Sequence, residues 1–461
     1  TADPAVVGHV VDDPPADRAC SSGHHHDVAH PGPSCPGPEG TGTREAGSAP
    51  SGPTLNQVSP EPPDTPDDPF GQGGTNPFEG LPIFGDLARL FSQQGPVGWD
   101  AARQLAYTVA TDGGQETNVD PLERIKIEQL ARVAELHVGT ATGLPSSASG
   151  RGIAITPVTR GQWVNATLDA WRPLFEALAG ALHAPPAEAE TPDPSDPLGF
   201  MGPLMQMVGP MMLGMTAGSM VGHLARRALG QYDLPIPRPS SDELMVVVAN
   251  LDEFGEEWSL PPDDLRLWVC VQEVATHTVL RLPHVRTRLD ELLLAYVSGF
   301  EPDSSALEDR LGDIDPGDPS SLTNLQQSMF GDPEILLGAI QSPAQRELLP
   351  RLEALVMAIV GYVDHIMDTV GHGLVQDYPM LTEALRRRRV EAHASDRFVE
   401  KLLGLELSQA AYDRGSAFVD GVVERSGAEG LARLWESDRT LPPPAEIDAP
   451  GLWLARIDLP D

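Results

Sequence analysis

The side chains in this sequence with a spacing suited to chemistry lie in LRLWVCVQEVATHTVLRLPHVRTRL, from Leu265 to Leu289. On a helix, positions four apart share a face. Gln272 and Thr276 therefore form one row, and Glu273 and His277 the row beside it. The pattern has the outline of H-E-x-x-H, in which two imidazoles one turn apart grip Zn²⁺ and the Glu deprotonates a bound water. Here an amide and a hydroxyl stand at the imidazole positions, and Zn²⁺ prefers imidazole, thiolate and carboxylate. The surviving pair, Glu273 and His277, has the spacing for a hydrogen bond or for half of a displaced metal site. A third ligand would come from LPRLEALVMAIVGYVDHIMDTVGHGL, which offers Glu353, Asp364, His365 and His372. Asp364 and His365 also read as polar positions of an amphipathic helix.

Other catalytic signatures are missing from the sequence. It has no G-x-S-x-G elbow, no P-loop, no G-x-G-x-x-G after a strand and no C-x-x-C.

Four segments carry a resemblance: Asn76–Ala106, Met211–Asn250, Ser259–Gly299, and LPPPAEIDAP with the following WLARI. Together they resemble, in order, an actinobacterial family of zinc-dependent, zincin-like hydrolases, over roughly residues 74–457. The resemblance implies a zincin-like fold and, in intact relatives, zinc held by a helix reading H-E-[LV]-[TA]-H-H. It places Gln272 and Thr276 at two ligand positions, Glu273 at the general base, and His277 at the second of the paired histidines. It also implies a third-ligand Glu where this chain has Val360. No cofactor is expected here, and the sequence implies a catalytically impaired member that binds or regulates an unknown peptide or protein. The alternative is an active hydrolase whose metal is held by Glu273, His277 and Asp364 or His365.

Composition bounds the partners. The formal net charge is -36, with 31 basic against 67 acidic residues and lysine only at 126 and 401. Such a polyanion repels nucleic acid and anionic membrane surfaces. The wealth of Ala, Gly, Pro and Arg also fits a GC-rich genome. Cys20, Cys35 and Cys270 are too few and too scattered for a disulfide framework, which fits a reducing cytoplasm. Residues 1–30 show no basic and then apolar leader, and the chain opens at Thr1, as a fragment or an unusual start would.

The elements that must position the helix follow from patterning. Residues 1–72 are Pro-, Gly- and acid-rich and predict a disordered tail; its Cys20, His24, His25, His26, His30 and Cys35 read as an accident of composition. Residues 73–461 predict one mainly α domain with a minor β element. Leu87–Phe91, Trp99–Ala106, Leu122–His137, Asn165–Leu182, Pro343–Val370, Tyr378–Leu403, Ser408–Arg425 and Gly427–Trp435 predict helices. Gly152–Val158 and Glu243–Ala249 predict strands, and Asp263 or Asp264 an N-cap. Ala184–Pro197 and Glu301–Ser321 predict acidic loops. Pro197–Leu224 has no charged residue over 28 positions, and Gly214, Gly218 and Gly222 recur every fourth residue. That spacing suits a membrane helix, but two internal prolines and the run of Met and Gly favour a buried core helix.

Overall fold

The computed structural model describes residues 95–182, 201–302, 339–391, 394–405 and 407–460. Outside them lie the predicted tail, its Cys/His cluster, the helix around Leu87–Phe91, the loop 184–197 and most of the loop 301–321. The described residues all belong to one unit.

Helices dominate, as the patterning predicts. Trp99–Thr111 (α1) and Pro121–Thr142 (α2) are followed by Ala154–Val158 (β1), Arg160–Leu182 (α3) and Met201–Ala225 (α4). Next come Glu243–Val247 (β2), Val248–Glu257 (α5), Pro262–Leu280 (α6) and Pro283–Val297 (α7). The chain then runs through Phe300–Pro302 (β3), Ala339–Gln341 (β4) and the long Pro343–Leu374 (α8). Tyr378–Val390 (α9), Ala394–Leu402 (α10), Gln409–Ala432 (α11), Pro444–Ile447 (α12) and Pro450–Ile457 (α13) complete it.

Two small sheets serve as clamps. β1 pairs with β2 in parallel, Ala154 opposite Glu243 through Val158 opposite Val247. β3 and β4 pair antiparallel, so Glu301 and Pro302 belong to a strand and not to the loop expected there.

The glycine stripe of α4 is a packing surface within the chain. A Cβ on Gly214 would overlap the carbonyl of Gly98, one on Gly218 that of Ala102, and one on Gly222 would lie 2.7 Å from Val109 Cβ. The stripe thus lets α4 lie against the backbone of α1 at a distance no larger side chain permits. Gly98 N–H donates to Pro210 O at 2.8 Å, which ties the two helices at the level of the internal proline. Among the described residues one helix, α8, is long and apolar enough to cross a membrane, and 78% of its most apolar window is buried inside the protein.

The predicted boundaries differ from the observed ones where distant residues intervene. α3 begins at Arg160, ahead of the expected Asn165, because Glu116 accepts from Arg160 N at 2.8 Å and Gly161 N at 2.9 Å. That carboxylate satisfies two of the helix's free amides from outside. β2 stops at Val247, and Val248 and Ala249 open α5. Neither Asp263 nor Asp264 is the N-cap of α6, which is Pro261. Asp263 instead pairs with Lys126, and Asp264 accepts from Gln376 N at 3.2 Å. The helix predicted over Tyr378–Leu403 is two, α9 and α10, while the two predicted over 408–435 meet at a kink at Gly427 (φ 68°), followed by a short 3-10 turn.

Candidate functional site

Helix α6 lies at the centre of the fold, packed by α2 on one side and α8 on another. From Leu265 to Leu280 every residue is buried except Gln272. Arg266 enters this core beside two carboxylates, Glu123 of α2 and Asp252 of α5. Their charges hold its guanidinium pKa above the usual value against the burial that lowers it.

Glu273 is 1% exposed. Its carboxyl accepts from Gln231 N at 2.9 Å and from Tyr232 N at 3.1 Å. It rests flat on Gly230: a Cβ there would lie 2.8 Å from Glu273 Cγ and overlap the carboxyl itself. Burial pushes its pKa up from 4.5 to about 8, with Asp233 adding to the rise and the two amides and Arg238 opposing it. At neutral pH the group is largely an uncharged carboxylic acid sealed in the interior.

The loop that receives it is pinned from three sides. Val247 N of β2 donates to Leu229 O at 2.9 Å, and Trp163 Nε1 of α3 donates to Gly230 O at 2.8 Å. Asp233 accepts from Leu229 N at 3.0 Å and from Arg388 of α9 at 3.0 Å. Glu273 therefore completes a backbone cradle, much as a capping side chain completes a helix end.

His277 is buried and bonds elsewhere. Its Nδ1 lies 3.1 Å from the Tyr232 hydroxyl, and its Nε2 is enclosed with no hydrogen-bond partner among the described residues. Burial, with Arg281 nearby, lowers its pKa to about 4, so the ring is neutral at physiological pH. Burial likewise raises Tyr232 to about 12. The Glu273–His277 hydrogen bond suggested by the spacing does not form, because each side chain finds its partner in the 229–233 loop.

The other expected site residues are dispersed. Thr276 is buried and Gln272 partly so, and neither side chain makes a hydrogen bond among the described residues. Asp364 forms a two-pronged ion pair with Arg389, at 3.0 and 3.1 Å. His372 is exposed, donates from Nδ1 to Asp368 O at 2.7 Å and lies against Tyr378. His365 is half-buried on α8, as is Glu353, and Val360 is buried in the same helix. Among the described residues no three His, Cys, Asp or Glu side chains gather as a metal set. The rearranged centre of Glu273, His277 and Asp364 or His365 is therefore not assembled, since Glu273 and Asp364 are consumed by other partners.

Sequence reasoning missed Gly230, Tyr232 and Arg238. Arg238 is a buried guanidinium between the rings of Trp163 and Trp171, at 5.6 and 5.9 Å. Its Nη2 donates to Thr167 Oγ1 at 2.8 Å, while Nε and Nη1 have no partner among the described residues. Burial lowers its pKa to about 10. The only sign in the sequence was a glycine and an aromatic in a short run, LGQYD, that has no periodicity.

The sequence profile of the zincin-like metallopeptidase family matches residues 97–454, most of the chain. The chain belongs to this family. A solved structure from Chloroflexus aurantiacus, described as that of a candidate hydrolase with a novel fold, is similar in fold, with a TM-score of 0.55 and 24% identity. The match covers 79% of this chain and all of that one. No curated protein matches. Among the described residues of this zincin-like protein, the donors do not gather into a set that fits the metal the family name implies. An amide at Gln272, a hydroxyl at Thr276 and an alkyl group at Val360 stand where the sequence resemblance places ligands, and zinc is held by imidazole, thiolate or carboxylate.

Proposed function

We propose that this zincin-like family member is catalytically impaired and acts as a binding or regulatory protein toward a peptide or protein partner. The observation that carries this reading is the position of Glu273. A general base must reach the proton it removes, directly or through one water, and this carboxyl is enclosed on all sides and engaged by two backbone amides. The substituted positions Gln272, Thr276 and Val360 support the same conclusion from the metal side. A structural task accounts for the retention of Glu273.

The net charge of -36 supports a protein partner over nucleic acid or an anionic membrane. The odd cysteine count, with Cys270 a buried free thiol, supports a reducing cytoplasm. The GC-rich character of the composition supports an actinobacterial source.

The test is zinc stoichiometry of the purified chain after dialysis against a weak chelator, beside an assay on a mixed peptide library. We expect substoichiometric zinc and no cleavage. One tightly held zinc per chain that is lost in a His277→Ala variant would establish the rearranged, active site instead.

A further inference from the structure

The outer face of α2 carries an apolar stripe that nothing among the described residues covers. Leu122 is 72% exposed, Ile125 53%, Val133 37% and Leu136 67%. The inner face, with Ile127, Ala131, Ala134 and Val138, is already spent on the core, so the helix is apolar on two sides.

The stripe has a definite symmetry. Leu122 and Val133, and Ile125 and Leu136, are each 11 residues apart. At 11 residues per three turns, a repeat stays almost straight along a helix. With about 100° per residue, all four side chains fall within about 40° of Gln129, which is exposed and lies at their centre. Ile125 and Val133 are each four residues from Gln129, and Leu122 and Leu136 are each seven. The pattern therefore reads the same in both directions along the helix.

We propose that this face of α2 pairs with the same face of a second copy of the chain, antiparallel, about a two-fold axis at Gln129. In a two-fold contact each residue meets its mirror position on the partner. Leu122 then meets Leu136, Ile125 meets Val133, and Gln129 meets itself. Such an axis also brings like flanks together.

The charges beside the stripe match this arrangement. Arg132 and Glu128 lie on the same flank, about 60° and 100° from Gln129. In the antiparallel pair, Arg132 of one copy falls within one turn of Glu128 of the other, twice over. Neither makes an ion pair among the described residues, although Glu123, Lys126 and Glu135 on other faces of α2 all have intramolecular partners. An unrelated partner would have no reason to need this palindrome.

Leu122 to Leu136 spans about 21 Å of helix, so the contact is at the small end of stable interfaces. The dimer should accordingly form in the micromolar range. Sedimentation velocity on the full chain, from about 1 to 100 µM, should show a concentration-dependent dimer. Leu136→Glu should weaken it at least tenfold while leaving the melting temperature of the dilute monomer unchanged, because the residue is exposed. Arg132→Glu should weaken it, and adding Glu128→Arg should restore much of the loss. In a chain with Cys20 and Cys35 changed to Ser, Gln129→Cys should form a covalent dimer under mild oxidation, and Arg124→Cys should not. A chain that stays monomeric at the highest concentration overturns the proposal, whatever else covers the stripe. So does a dimer indifferent to Leu136→Glu and not captured through Gln129→Cys.

Discussion

Gly230 supports the carboxyl of Glu273 so closely that no other residue fits beneath it. The pair joins a helix to a loop more than forty residues away in sequence, and the loop's next two amides close over the same carboxyl. The carboxyl of Glu273 is a fastener between α6 and that loop.

Gly230→Ala should therefore destabilise the fold by about 2–4 kcal/mol, since a methyl group must displace a buried hydrogen-bonded carboxyl. Urea denaturation measures the change. A loss under 1 kcal/mol would show that the carboxyl can move aside without cost.

Glu273→Gln tests the same contact through chemistry. The neutral acid still accepts through both of its oxygens, whereas an amide accepts through one only and sets its NH2 against a loop N–H, at a cost of about 1–3 kcal/mol. Loss of stability without any gain or loss of zinc is the expected result, measured by denaturation and metal analysis together.

The pH dependence has two opposed parts. Glu273 has a raised pKa, so its contribution is fully present below about 4.5 and is lost as pH rises to about 8. His277 has a lowered pKa, so its contribution is present above 6.5 and is lost as pH falls to about 4. Between 4.5 and 6.5 the two offset each other. From 6.5 to 8 only Glu273 acts, and stability should fall by up to about 1.4 kcal/mol per pH unit. Denaturation at pH 6.5 and 8 should show this slope in the native chain and a flat response in Glu273→Gln.

Gln272→His with Thr276→His should give loose zinc binding, and Val360→Glu should tighten it by about tenfold or more, because three protein ligands and a water make the catalytic zinc arrangement. Binding should strengthen from about pH 5 to 7 as the new imidazoles lose protons. Calorimetry on the native, double and triple variants decides. A double variant no better than the native chain would break the match between these positions and metal ligands.

Much of the fold was legible because local periodicity decides it. The repeats of α2 and α8 and the glycine stripe of α4 are each written within one segment, and the structure uses them as helices and as a close-packed seam. The site was legible only in its residue types. That Glu273 would turn to Gln231 and Tyr232, and not to His277 one turn away, depends on a loop placed by Trp163, Val247 and Arg388, none of them near it in sequence. The same holds for Asp263 and Asp264, whose partners Lys126 and Gln376 drew them away from capping. Local spacing shows what a side chain could reach, while burial and distant amides decide what it does reach.

The parallel pairing of β1 and β2 also sets an order of events during synthesis. A parallel pair requires a crossover, and here α3 and α4 both intervene before Val158 can meet Val247. The 229–233 loop is then fastened only when Glu273 arrives. At ordinary rates of translation, on the order of 10 residues per second, β1 waits on the order of ten seconds outside the ribosome before its cradle can close. Ile155 and Val158, buried in the finished fold, spend that interval without the partner strand that later covers them.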